Sequence, residues 1–212
     1  MPQIYEDAPL EMVLEIISAY PMALLATNGE RRPDITRLPV VIPGPVENRR
    51  IEELTLYGHM NAKNPHWNTL SDRPEATLVF NGPDGYVSPQ AYERDVAAPT
   101  WNFVSVHLHG CVTKIADSKE VLQIVQNTAI QYEGLHGSGW DPSDSTEYFK
   151  SILSGVRAFR FNVDAIEVMF KLSQEQRPRD RQNVIDTFCG GGRGANTDIG
   201  QFMHRFYTRS AQ

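Results

Sequence analysis

The chain has 212 residues, long enough to bury a real core in one domain, with a composition ordinary for a globular protein. A net charge of -6, from 26 acidic against 20 basic residues, argues against a large nucleic-acid footprint. Cys111 and Cys189 match no metal or redox spacing, no apolar run is long enough to span a membrane, and the N-terminal residues lack signal-peptide character, so cytoplasm is the expected location.

In chain order, Leu10, Val13, Leu14 and Ile17 fall at helical spacing, with Pro9 in the first turn and Pro21 as the stop. Met22 to Thr27 reads as a buried strand, and Asn28-Gly29 signals a two-residue hairpin. The return strand, 34–42, closes at Pro43-Gly44-Pro45. Arg31-Arg32 and Arg49-Arg50 are isolated pairs beside turns, expected to be solvated. Further strand signals fall at 53–58, 76–81, 86–88, 101–109, 111–115 and 158–170. Asp117-Ser118-Lys119-Glu120 has the form of a capping box opening a helix whose apolar face is Val121, Leu122, Val125, Ala129 and Tyr132. A helix is expected over 145–153, ended by Gly155, and another near Pro178 carrying Val184 and Ile185. Residues 1–188 then form one cofactor-binding domain, and 189–212 a glycine-rich link and tail. Phe202, Met203, Phe206 and Tyr207 in that tail are apolar enough to pack on the body or on a second subunit. Short strands with hairpin punctuation and few helices between them predict a mainly β, α+β fold built on an antiparallel barrel.

Three segments could carry chemistry. In Leu56-Tyr57-Gly58-His59-Met60-Asn61 the strand pattern ends at Gly58, and Asn64-Pro65 then reads as the N-cap and first residue of a short helix. His59, at such an exit, suits an iron ligand, a general base, or a structural histidine bonded to the turn. The strand 101–109 places Phe103, Ser105, His107 and His109 on one side and aliphatic Val104, Val106 and Leu108 on the other. His107 and His109 resemble a metal pair, but further ligands at matching spacing are missing, which favours structural or interfacial roles. Lys171, with Ser173 and Gln174 behind it, and Arg37, inside an apolar strand, are suited to gripping a phosphate or carboxylate; the alternative is a surface lysine at 171 with Ser173 as a helix cap. No nucleophile elbow, P-loop, dinucleotide fingerprint or zinc-protease motif is present.

Together, Tyr57-Gly58-His59-Met60 with Asn64-Pro65-His66-Trp67, Phe80-Asn81-Gly82-Pro83, Tyr86-Val87-Ser88-Pro89, Pro99-Thr100-Trp101-Asn102 and Lys171-Leu172-Ser173-Gln174 resemble the PaiB-type branch of the flavin-binding split-barrel superfamily. The resemblance runs from Pro2 to Phe188 and implies a six-stranded split barrel that dimerises and binds its cofactor at the subunit interface. Within that branch, 105–110 and 170–176 look like the haem-dependent piperazate synthases, which close N5-hydroxyornithine into piperazic acid. The resemblance then implies haem b, with His59 as its iron ligand and catalytic residue. Arg37 and Lys171 would serve the haem propionates or the substrate carboxylate, and Trp101, Phe103, Ser173 and Gln174 would line the cofactor. The alternative is an FMN-binding regulator or oxidoreductase, in which Arg37, Lys171 and Ser173 hold the phosphate and His59 is structural.

Overall fold

The computed structural model describes residues 3–44, 54–71, 74–94 and 96–209. Pro2, Pro45, Arg49-Arg50 and Glu53, which entered the sequence reading, lie outside them. In chain order the elements are α1 Leu10–Ala19, β1 Met22–Thr27, β2 Asp34–Val41, β3 Thr55–Asn61, α2 Pro65–Thr69 and β4 Glu75–Val87. They continue with β5 Thr100–Lys114, α3 Ser118–His136, α4 Thr146–Ile152, β6 Val156–Lys171, α5 Pro178–Cys189 and α6 Thr197–Arg209. The six strands form an antiparallel barrel in the order β1-β2-β3-β6-β5-β4, with the helices peripheral, as the strand punctuation predicts. Among the described residues, no helix is long and apolar enough to cross a membrane.

Strands read as separate pieces are in fact continuous. β4 runs through Gly82-Pro83-Asp84-Gly85, and β5 runs through Gly110. These glycines are there for space, not for turning. A Cβ on Gly82 would meet Ile16 and Val104, and one on Gly110 would run into the backbone carbonyl of Asn162. The Asn28-Gly29 hairpin is also corrected. Thr27 pairs with Asp34, so residues 28–33 form a six-residue loop, and Gly29 is not among the glycines with positive φ that a two-residue turn would require.

The chain divides into two compact units. The first comprises Met1–Ile16, Asn81–Val106 and Val168–Gln212. Its core joins Phe170 and Phe188 to the tail, which is a helix, α6, with Ile199, Phe202, Met203 and Phe206 buried. Phe170 meets Phe202 edge-on at 5.6 Å, and Tyr207 Oη donates to the Leu172 carbonyl at 2.8 Å. The residues after the glycine run therefore cover their own unit.

The second unit comprises Ile17–Phe80 and His107–Glu167. Leu25, Leu56, Leu78, Leu108, Phe159 and Phe161 are fully buried within it. Over α3, the cluster of Ile115, Val121, Ile124 and Ala158 is flanked by Tyr57, Leu153 and Val156. The capping box is half realised. Asp117 accepts from the Lys119 N–H at 3.0 Å, but Glu120 turns away to take the Arg160 guanidinium at 2.6–2.9 Å. In α1 the buried face is Met12, Val13, Ile16 and Ile17, while Leu10 is exposed, a rotation from the predicted stripe.

Candidate functional site

β3 continues past Gly58 to Asn61, so His59 lies within the strand. Alternation sends Leu56, Gly58 and Met60 inward and leaves Tyr57, His59 and Asn61 on the outer face. Gly58 stands opposite Phe159, and a Cβ there would strike the phenyl ring, which is why glycine precedes the histidine. His59 itself stands opposite the fully buried Ala158. Its Nδ1 is buried without a hydrogen-bond partner among the described residues, and burial pushes its pKa below the ordinary histidine value. His109 Nε2 and Tyr92 Oη are likewise buried without a hydrogen-bond partner among the described residues.

The second histidine of the motif behaves in the opposite way. Asn64 caps α2 by accepting from the His66 N–H at 3.0 Å, as the sequence predicts, and His66 is buried. Its Nε2 lies 2.8 Å from Thr27 Oγ1 and its Nδ1 lies 2.9 Å from Thr36 Oγ1. Burial lowers its pKa, with Asp34 opposing, so the ring is neutral, with one nitrogen donating and the other accepting. His66 is a structural residue with both nitrogens occupied.

Beside Tyr57 opens a cavity of about 790 Å³, bounded by 41–44 at the end of β2 and by one side of α3. Tyr57 pairs across the ladder with Arg160, whose guanidinium holds Glu120. Tyr132 Oη donates to the Val40 carbonyl at 2.8 Å, and burial raises its pKa to about 12. Arg37 is exposed on β2, opposite Leu24, and makes no ion pair with another described residue. Tyr57 escaped the sequence reading as a site residue, although period two from His59 marks its face.

His107 and His109 also belong to this unit, where Leu108 between them is core as predicted. Thr77 Oγ1 lies 3.0 Å from His109 Nδ1, and Glu167 lies 3.6 Å from its Nε2, too long for a hydrogen bond. Burial lowers the His107 pKa, Glu167 raises it and His109 lowers it again. Among the described residues, no group of three His, Cys, Asp or Glu side chains is arranged to hold a metal ion.

The remaining candidates belong to the first unit. Trp101 is half exposed and meets Tyr86 edge-on at 5.8 Å, while Phe103, two residues along β5, is half-buried. Lys171 ends β6 and donates to Thr100 Oγ1 at 2.5 Å. Ser173 is buried at φ +67°, and Asn102 Nδ2 donates to its Oγ at 2.9 Å. Gln174 accepts from the Leu172 N–H at 2.6 Å and donates to the Phe170 carbonyl. Ser173 and Gln174 thus build the turn behind Lys171, and a direct contact with a cofactor would have to replace these bonds. Asn102, which the sequence reading left unassigned, is the buried anchor of that turn.

Comparison with known proteins supplies a wider frame. Residues 1–165 match the family model described as "Putative FMN-binding domain". Protease synthase and sporulation protein PAI 2 of Bacillus subtilis is 26% identical over 188 residues, covering 88% of this chain and 87% of that protein. The flavocytochrome Anf3 of Azotobacter vinelandii has a similar fold, with a TM-score of 0.56 at 17% identity over 84% of this chain and 75% of that one. So does the FAD and haem binding protein of Mycobacterium smegmatis, with a TM-score of 0.55 at 14% identity over 90% of this chain and 82% of that one.

Proposed function

This chain belongs to the family described as "Putative FMN-binding domain", and from that premise we propose that it is a haem-dependent piperazate synthase. The proposed substrate is L-N5-hydroxyornithine. The lone pair of the α-amine forms the N–N bond as the N–O bond breaks, and the hydroxyl leaves as water with a proton from the amine. The conversion is redox-neutral and needs no nicotinamide.

The observation that carries the reading is His59. Its buried Nδ1 has no partner, and burial keeps the ring neutral, the form in which imidazole ligates iron. His66, seven residues on, has both nitrogens occupied and cannot serve without losing its bonds to Thr27 and Thr36. A barrel of this type binds FAD and haem in the Mycobacterium smegmatis protein, so the architecture is compatible with either group.

When bound, haem supplies a Lewis-acidic iron that polarises the hydroxylamine N–O bond. The chain's own part is to hold and orient. His59 is the ligand in this reading, and its ladder partner on β6 is the small residue Ala158. Arg37 and Lys171 are assigned to carboxylates, and Trp101 and Phe103 supply apolar and aromatic surface. Ser173 and Gln174 set the turn that carries Lys171. Orientation matters because a flexible chain must be folded into a near-attack geometry, a contribution that reaches several kcal/mol.

The family description favours a second reading, an FMN-binding regulator or oxidoreductase. The absorption spectrum of the purified protein separates the two. A Soret band that persists through gel filtration supports the synthase. A flavin spectrum, with haem failing to bind on titration, supports the second reading and removes the first.

A further inference from the structure

We propose that a second cavity, at the barrel end where β3 and β5 finish and β6 begins, binds a small organic monocarboxylate with a flat apolar body. It belongs to the same unit as His59 but is lined by neither His59 nor Tyr57. Its volume is about 440 Å³, within the range of small-molecule sites, and the mouth of a β-barrel is a usual place for one. Two cations line it, and the strands bring them to one face. Arg157 stands opposite the inward-facing Met60. Lys114 lies two residues beyond the fully buried Val112, on the same inward side of β5. The Ile115 N–H donates to the Ala158 carbonyl at 3.0 Å, joining the two strands directly beside both residues. Lys114 and Arg157 are then diagonal neighbours on adjoining strands, a separation of about 7–8 Å that long side chains bridge.

Both cations are held in place by backbone, with donors to spare. Lys114 Nζ donates to the Leu70 carbonyl at 2.7 Å and stands 5.2 Å from the centre of the Trp67 ring. Arg157 Nη1 donates to the Ser154 and Val156 carbonyls at 3.2 and 2.9 Å, which leaves Nε and Nη2 without a described partner. Neither residue pairs with a carboxylate among the described residues, and no Asp or Glu lines the cavity. In a chain of net charge -6, such a pocket selects an anion. Asp117, between the lining residues Ala116 and Ser118, turns to the Lys119 N–H and caps α3. Its charge opposes a phosphate dianion more than a monoanion, and the free edge of a guanidinium suits a carboxylate. Trp67 supplies a flat aromatic wall, and Ile115, Val121 and Leu153 supply aliphatic surface, so the body of the ligand is apolar and flat.

The test is calorimetric titration of the full chain with 1-naphthoate, with 1-naphthamide as the uncharged probe of the same shape and inorganic phosphate as the anion without a body. Naphthoate is expected to bind, naphthamide at least tenfold more weakly, and phosphate at tenfold excess should leave the naphthoate affinity unchanged. Lys114→Met and Arg157→Gln should each weaken naphthoate at least tenfold with circular dichroism unchanged. Lys119→Met, which removes a cation from the cavity beside Tyr57, should leave the affinity as it was. No heat with naphthoate, equal affinity for naphthamide, or displacement by phosphate overturns the proposal, and these three results need no variant to fold. An unchanged affinity in either Lys114→Met or Arg157→Gln, or a loss in Lys119→Met, overturns the location. None of these readouts depends on which cofactor the chain takes.

Discussion

At the scale of single residues, two histidines seven positions apart have opposite fates. His66 is enclosed between Thr27 and Thr36, whereas His59 keeps a buried nitrogen that nothing in the described chain uses. His59→Ala should therefore abolish the Soret band with the fold intact by circular dichroism. Full haem occupancy in that variant would remove His59 from the role. His66 leads to a different expectation. Burial lowers its folded pKa below the unfolded value, so its contribution to stability is complete above about pH 6.5 and is lost as pH falls through the folded value. Thermal unfolding midpoints should fall from pH 7 to pH 5. In His66→Gln, which cannot titrate, the slope should be shallower, and an identical slope would exclude the assignment. Arg37→Ala and Lys171→Ala are each expected to lower kcat/KM by the worth of a charged hydrogen bond, about 1.5–3 kcal/mol.

At the scale of elements, legibility followed the kind of signal. Caps and alternation read true. Asn64 caps α2, Asp117 caps α3, and the aliphatic side of β5 is core. Gly82 and Gly110 look like punctuation in the local string, but their work is to admit a close neighbour, information that lies in the packing. The same blindness hid the turn behind Lys171, because Asn102 and Ser173 are 71 residues apart in the chain. Asn102→Ala should cost about 1–3 kcal/mol by leaving the buried Ser173 hydroxyl without its partner, read as a shift in the urea midpoint. Gly58→Ala should cost a similar amount, about 1–3 kcal/mol, because Phe159 occupies the space. A midpoint unchanged in either variant would contradict the packing described.

At the scale of the molecule, the tail is part of the first unit. Phe202 is buried against Phe170, and Phe202→Ala should destabilise the protein by about 3–5 kcal/mol. The sequence marked that segment as too apolar for a free tail, but its partners are set by tertiary packing that no local pattern records. The barrel class was readable from strand punctuation. Which cofactor the chain takes is a matter of fine chemistry on a shared barrel, which strand patterns do not encode. The measurement that tests the synthase assignment most directly is incubation of haem-reconstituted protein with L-N5-hydroxyornithine, without nicotinamide, followed by mass spectrometry. Piperazic acid, with loss of one water and none formed from ornithine, is the expected result. Unchanged hydroxyornithine, with tight binding of flavin mononucleotide in its place, would contradict it.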